Sequence, residues 1–306
     1  AGYRSERGFA IRFDPTDRAS VRYNPLLEVR KGPHEIADVQ ALTEILIDPS
    51  GQQKMPDFWE NSAAQFIYAV MLHVLYAEPM STKHLGRVRE LIQQPDETLE
   101  AMQLTLHLGD RAHPEIARVA AFLKGRHERL RGSVEAMADS YFRAWADPVV
   151  VEVTGASDFC AGDLMCLEHP VSLYIHTPAA DQARLRPVTR MLLQQIMGRL
   201  LADEHRDHFG REKRHKLLLL LDEFPQLGRI KFFETAMALM GGYGLKGHLI
   251  VQSVNSLREL YGRDNTLIDN CHIIAAWATN DEANLRTLSS MVGRAVEYRK
   301  SISRGG

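Results

Sequence analysis

An α/β fold with a mostly parallel sheet, interrupted by an all-α block, is what the hydrophobic pattern of this chain predicts. From about residue 148 onward, short apolar runs alternate with helical periods, the pattern of buried strands joined by crossover helices. Between about Gly51 and Asp147 only helical periods occur, and no strand pattern is convincing. The alternating run Gly8-Phe9-Ala10-Ile11-Arg12-Phe13 lies on the other side of that block. If its strand joins the same sheet, residues 1–50 and 148–306 form one α/β unit, with 51–147 set into it.

Taken in order, the first strand stops at Asp14-Pro15, and after the turn at Asn24-Pro25 the helical spacing Ile36–Ile47 stops before Asp48-Pro49. Phe58–Tyr76 is strongly apolar with helical spacing. Ser81 is the predicted cap of a helix through Ile92, and Asp96 of one through His107. Pro114 suits a first helical position of a helix running past Leu123 towards Leu130, and Gly132-Ser133 reads as a break before Val134–Trp145. Beyond the block, strands are predicted at Val171–Ile175, Leu217–Leu221, His248–Val251 and His272–Trp277. Helices are predicted at Asp181–Phe209, Ile230–Met240 and Asp281–Met291.

Composition excludes several classes. The 306 residues are 45% hydrophobic and 25% charged, which is ordinary for a globular chain and excludes wholesale disorder. Length alone suggests about two domains. Lys plus Arg is 37 against 39 Asp plus Glu, a formal net charge of −2, so the whole chain carries no basic footprint for nucleic acid. Cys160, Cys166 and Cys271 fall in no CxxC pattern and point to free thiols in a reducing compartment. No run reaches the ~20 apolar residues of a membrane span; Ala63–Ala77 is too short and contains Gln65 and His73. The chain opens at Ala1 without an initiator Met or a signal-peptide pattern, and reads as a piece of something longer.

The sharpest chemical feature is Leu217-Leu218-Leu219-Leu220-Leu221-Asp222-Glu223. Five leucines suit a central parallel strand, and ligands of open α/β sheets bind at the carboxyl ends of such strands. There, one carboxylate can hold Mg²⁺ through its water shell and the next can polarise an attacking water. Asp222 takes the first role and Glu223 the second. The same residues also read more plainly, as a buried strand whose next side chains meet solvent. Gln252-Ser253 follows the next predicted strand at the same edge, where Gln252 is placed to contact a γ-phosphate or orient water. No GxxxxGK[ST] phosphate loop occurs. Gly241-Gly242-Tyr243-Gly244 follows a helix and precedes a strand, the wrong polarity for one, and reads as a tight turn.

These residues resemble a known family. Asp222-Glu223-Phe224-Pro225-Gln226-Leu227-Gly228, Gly242-Tyr243-Gly244-Leu245 and Gln252-Ser253 look like the TraG/TraD-type coupling proteins of type IV secretion and conjugation. Further matches are Tyr23-Asn24-Pro25-Leu26, Phe58-Trp59, His73-Val74-Leu75-Tyr76-Ala77-Glu78, Ser157-Asp158-Phe159 and Asn280-Asp281, in the family's order over nearly the whole chain. The resemblance implies a RecA-like P-loop NTPase fold, with residues 1–50 and 148–306 as two parts of a nucleotide-binding domain and 51–147 as an inserted all-α domain. It implies an ATPase using ATP and Mg²⁺, with Asp222 and Glu223 as the Walker B pair and Gln252 as the sensor.

As partners the resemblance implies a relaxase or relaxosome with its DNA, or effector proteins, together with secretion-channel proteins and a homo-hexamer. It places the protein at the cytoplasmic face of the bacterial inner membrane, anchored by helices that, like the phosphate loop, lie upstream of Ala1. Some relatives carry an arginine finger before the sensor strand; here Gly241-Gly242 occupies that region and Lys246 is the nearest cation. An FtsK/HerA-type DNA pump shares the motor chemistry, and a non-catalytic adaptor docking substrate through the helical block is a further alternative.

Three weaker constellations have bland readings beside them. Arg118, Lys124, Arg126, Arg129 and Arg131 suggest a substrate contact or a solvated helix face. His205 and His208, with Asp203 and Asp207, suggest a metal site or an exposed helix. Cys160 and Cys166 suggest redox chemistry or small core residues.

Overall fold

Two pairs of parallel strands organise the α/β part of the computed structural model, which describes residues 6–52, 55–277 and 282–292. Strand β1 (Phe9–Phe13) lies beside β2 (Val171–Ile175), with Phe9 opposite Val171 and Phe13 opposite Ile175. Strand β3 (Leu217–Leu221) lies beside β4 (Leu245–Leu249), with Leu221 opposite Leu249. As expected, the first strand joins a strand from beyond the helical block; among the described residues β1 pairs only with β2, and β3 only with β4. No described strand supplies a ladder between the pairs.

Among the described residues eight α-helices separate β1 from β2: α1 (Glu35–Ile47), α2 (Phe58–Ala77), α3 (Leu85–Ile92), α4 (Pro95–Leu104), α5 (Pro114–Lys124), α6 (Glu128–Tyr141), α7 (Pro148–Val153) and the single turn α8 (Asp163–Cys166). Helix α9 (Gln182–Leu200) leads from β2 to β3, and α10 (Lys231–Ala236) from β3 to β4. Among the described residues α11 (Val254–Tyr261) and α12 (Glu282–Val292) follow β4.

Helix α2 is the axis of the helical block. Asp57 accepts from the amides of Trp59 and Glu60 while the Glu60 side chain reaches back, a reciprocal cap that fixes where the helix begins. From Phe66 to Leu75 every residue is buried. A helix apolar all round has to be enclosed, and α1, α3, α5 and α6 pack around it. Helix α9 does the same for the α/β part, burying Leu185, Val188, Met191, Leu192 and Ile196. It touches α1 and the short 3₁₀ turns at Pro25–Glu28, Arg143–Ala146 and Phe224–Leu227.

Several expected boundaries shift, for local reasons. His84 rather than Ser81 caps α3, its ring accepting from the Arg87 amide. Pro95 opens α4 before Asp96. Gly132-Ser133 does not break the chain; it sits on the exposed face of α6, where the Ser133 hydroxyl donates to the Arg129 carbonyl. The break falls at Gly125-Arg126-His127, where His127 caps the next helix. Helix α9 stops at Leu200, and residues 201–209 fold as turns around Asp203, which accepts from the amides of His205 and Arg206.

Strand β4 starts earlier than predicted because Gly244, at φ 78°, turns the chain directly into Leu245. The predicted strand His272–Trp277 is irregular, with Ile273 88% and Trp277 84% exposed. Nor is β3 buried on both faces: Leu219 and Leu221 face the core while Leu218 and Leu220 are 61% and 62% exposed. Asn280 and Asp281 lie outside the described residues.

Candidate functional site

The strand ends bring the three site residues to one edge. Asp222 follows β3 directly and is exposed, with Glu223 half-buried beside it. The Ile250 amide donates to the Leu221 carbonyl at 3.0 Å, and the Phe224 amide donates to the Ile250 carbonyl at 3.0 Å. The parallel ladder therefore continues around the Asp222-Glu223 turn, and Gln252 leaves it two residues later, exposed, just before Ser253 caps α11 through the Asn255 amide.

The backbone at this turn is unusual. Glu223 has φ 47° and ψ 51°, and among the described residues it is the non-glycine with positive φ. A left-handed residue with a Cβ costs about 1 kcal/mol or more and persists only where its surroundings enforce it. The Asp222 carboxylate accepts from the Glu223 amide at 3.1 Å, and the Gln226 amide donates to the Glu223 carbonyl at 2.9 Å. Phe224 sits fully buried, its ring stacked at 5.7 Å on Tyr261 of α11. The buried phenylalanine anchors the turn behind the exposed Asp222 and the half-buried Glu223.

Asp222 thus offers an exposed hard-oxygen donor of the kind Mg²⁺ accepts, alongside nucleotide phosphates rather than in an all-protein cage. Among the described residues no group of three or more His, Cys, Asp or Glu is placed to hold a metal, and His205 and His208 lie in the turns that follow α9.

Three of the other family-like motifs, those at Tyr23, His73 and Ser157, build joints. Asn24, fully buried, accepts from the Leu26 amide and donates to the carbonyls of Lys83 at 2.6 Å and Gly155 at 3.2 Å. Tyr23 donates to the Gln195 side chain at 2.9 Å and packs on Phe159. Ser157 accepts the Asn24 amide, and Asp158 pairs with Arg22 at 2.7 Å. Glu78 pairs with Arg87.

A buried polar chain also links α1 to the helical block. The His113 ring meets the Glu35 carboxylate at 2.9 Å, and Tyr76 donates to the other carboxylate oxygen. Burial alone would raise the Glu35 carboxyl, but hydrogen bonds from Tyr76, Gly32 and His113 hold it below its ordinary value. His107 Nδ1 accepts from the His113 amide, so in the neutral ring the proton sits on Nε2 and is donated to His73 Nδ1 at 2.9 Å. Burial, reinforced by neighbouring His73 and His113, pushes His107 down to about 4. Of these linked residues His73 and Tyr76 stand in one family-like motif; the spacing of His107, His113 and Glu35 gives no signal.

The helix expected to carry His205 and His208 ends at Leu200, so both lie in turns, while the basic and cysteine constellations have partners within the fold. Arg118 pairs with Glu115, Arg131 with Asp96, Lys124 donates to the Gln103 side chain, and Arg126, in the break between α5 and α6, lies over the Phe122 ring. Burial pushes the Cys160 thiol up to about 11, which keeps it protonated and unreactive.

The family model for type IV secretory system conjugative DNA transfer matches residues 1–305. The conjugal transfer protein TraG of Escherichia coli is 34% identical over 322 residues, covering all of this chain and 50% of that protein. VirD4 of Agrobacterium fabrum is 28% identical over 302 residues, covering 96% and 43%. The chain spans about half the length of the curated relatives it matches. Among solved structures, the plasmid coupling protein TrwB in complex with the ATP analogue ADPNP superposes with a TM-score of 0.57 at 15% identity, covering 85% of this chain and 57% of TrwB. TrwB in complex with ADP and Mg²⁺ gives 0.54 at 13%, covering 85% and 56%. The expected RecA-like α/β fold carrying a helical block is thus the fold observed, and the chain belongs to the conjugative coupling proteins of type IV secretion.

Proposed function

We propose that this chain is the catalytic half of a motor that hydrolyses ATP to deliver relaxase-bound DNA or effector proteins to a secretion channel. The observation carrying this reading is the carboxylate pair Asp222-Glu223 at the exit of β3, with Gln252 leaving the paired strand at the same edge. Asp222 would hold Mg²⁺ through its water shell, and the metal, with the nucleotide, would supply neutralisation of phosphate charge. Glu223 takes the proton from the attacking water, held in place by its enforced backbone conformation. Gln252 contacts the γ-phosphate and passes its loss to α11 through Ser253.

No phosphate-cradling loop occurs in these 306 residues, so that part of the site comes from elsewhere in the intact protein. The helical block, 51–147, faces the substrate. Assembly as a homo-hexamer at the cytoplasmic face of the inner membrane, anchored by helices outside this chain, completes the reading. No helix among the described residues is long and apolar enough to cross a membrane.

The test is Glu223→Gln in the intact protein. General-base chemistry predicts at least a 100-fold loss of ATP hydrolysis, with binding of a non-hydrolysable analogue kept within about threefold. Hydrolysis that survives the substitution would sink the reading and favour an adaptor without catalysis.

A further inference from the structure

Far from the carboxylates in sequence, Arg190 of α9 has a buried guanidinium that, among the described residues, meets no carboxylate at hydrogen-bond distance. It donates to three backbone carbonyls: Pro49 at 3.1 Å, Leu227 at 3.3 Å and Arg229 at 2.8 Å. Burial lowers its proton affinity and the nearby Asp48 charge partly restores it. Two of the acceptors close the turn that begins at Glu223. The third lies just before the helical block.

The same two segments also cross backbone on backbone. The Arg229 amide donates to the Ser50 carbonyl at 2.8 Å. A Cβ on Gly51 would lie 1.8 Å from the Arg229 carbonyl oxygen, and one on Gly228 would lie 2.6 Å from the Ser50 oxygen; both glycines have positive φ, 69° and 75°. Only glycine on both strands of the crossing permits this approach. Helix α11, which starts right after Gln252, reaches the same place: Tyr261 accepts from the Ile230 amide at 3.1 Å and donates to the Gly228 carbonyl at 3.4 Å.

We infer that Arg190 is a positioning residue that locks the Glu223 turn, the Gln252 helix and the start of the helical block into one mechanical unit. The left-handed Glu223 needs its turn closed on the far side, and the guanidinium does that by satisfying the Leu227 and Arg229 carbonyls. By holding Pro49 with the same fork, it makes displacement of the turn a displacement of residues 48–51, the lead into α2. The inference rests on the reading of Asp222 and Glu223 as nucleotide-facing. A lysine cannot replace the fork, because one ammonium replaces two nitrogens that diverge to separate carbonyls.

The experiment uses Arg190→Lys and Arg190→Met in the intact protein, beside Glu223→Gln. Expected for both Arg190 variants is at least a tenfold fall in kcat for ATP with KM within about twofold. Amide exchange in residues 48–60 should respond to a non-hydrolysable ATP analogue in the parent and lose that response in the variants. Protection of the β1–β2 ladder serves as the folding control and should stay unchanged. An Arg190→Lys protein with parental kcat and a parental exchange response overturns the inference while leaving the catalytic reading intact. So does a fall in kcat accompanied by an equal loss of β1–β2 protection, since the role is then only structural. Hydrolysis unaffected by Glu223→Gln defeats the catalytic reading itself, whatever Arg190 does.

Discussion

The carboxylate edge and the joint between α1 and the helical block solve opposite problems. At the joint, Asn24, Glu35, His73, His107 and His113 are all buried, and each has hydrogen-bonding partners from segments far away in sequence. At the edge, Asp222 and Gln252 are exposed, Glu223 is held in a costly conformation, and the flanking Leu218 and Leu220 lie bare. Polar groups satisfied internally fix a structure. Polar groups left outward beside an enforced backbone are available to something else. The difference separates polar residues consumed in building the scaffold from polar residues the scaffold leaves available, and family-like motifs supply some of each.

Substitutions in this chain can break or sharpen that contrast. Tyr23→Ala at the joint should cost the most, about 4 kcal/mol of stability, because it empties a fully buried aromatic site against Phe13 and Phe159 and orphans the Gln195 carbonyl. Urea denaturation would measure it, and a cost under about 1 kcal/mol would mean that the joint is not where stability resides.

Acid should act next. His107 titrates at about 4 in the folded chain against an ordinary value of 6.5, so between those values the unfolded chain binds a proton that the folded chain refuses. Stability is therefore full above pH 6.5 and falls as pH drops through the window, by up to about 3 kcal/mol. His73, also lowered by burial, acts in the same direction. Glu35, held low by its hydrogen bonds, adds its loss only at still lower pH. Urea midpoints that stay level from pH 7 to 4.5 would contradict the tautomer chain His107–His73.

The edge should respond least. Leu220→Lys replaces a side chain that is 62% exposed, and in this chain it should change stability by no more than about 0.5 kcal/mol. A loss several times larger would show that this face of β3 is covered in solution.

The sequence speaks clearly wherever side chains carry the pattern. Five consecutive leucines made β3 plain, the all-round apolar run made α2 plain, and the dipeptide after β3 pointed to the carboxylate edge. It speaks poorly where histidine does the work of the usual capping residues, as at His84, His113 and His127, whose rings accept helix-opening amides. It misjudged Gly132, because an exposed helical face tolerates glycine at a cost of only about 1 kcal/mol. It was silent on Arg190, whose acceptors are all carbonyls: any residue type supplies a carbonyl, so no residue type betrays the contact.

The crossing of residues 50–51 with 228–229 carries that silence further. Because backbone meets backbone there, substitution tolerance should fall into a distinctive pattern if every position were varied in turn. Ser50 and Arg229 contribute only main-chain atoms to the crossing itself, so that contact would accept wide variation at both. Gly51 and Gly228 would accept almost nothing, as two isolated intolerant points on segments that no motif connects. A mutational scan would thus reveal a contact through what its partners cannot become rather than through what they are.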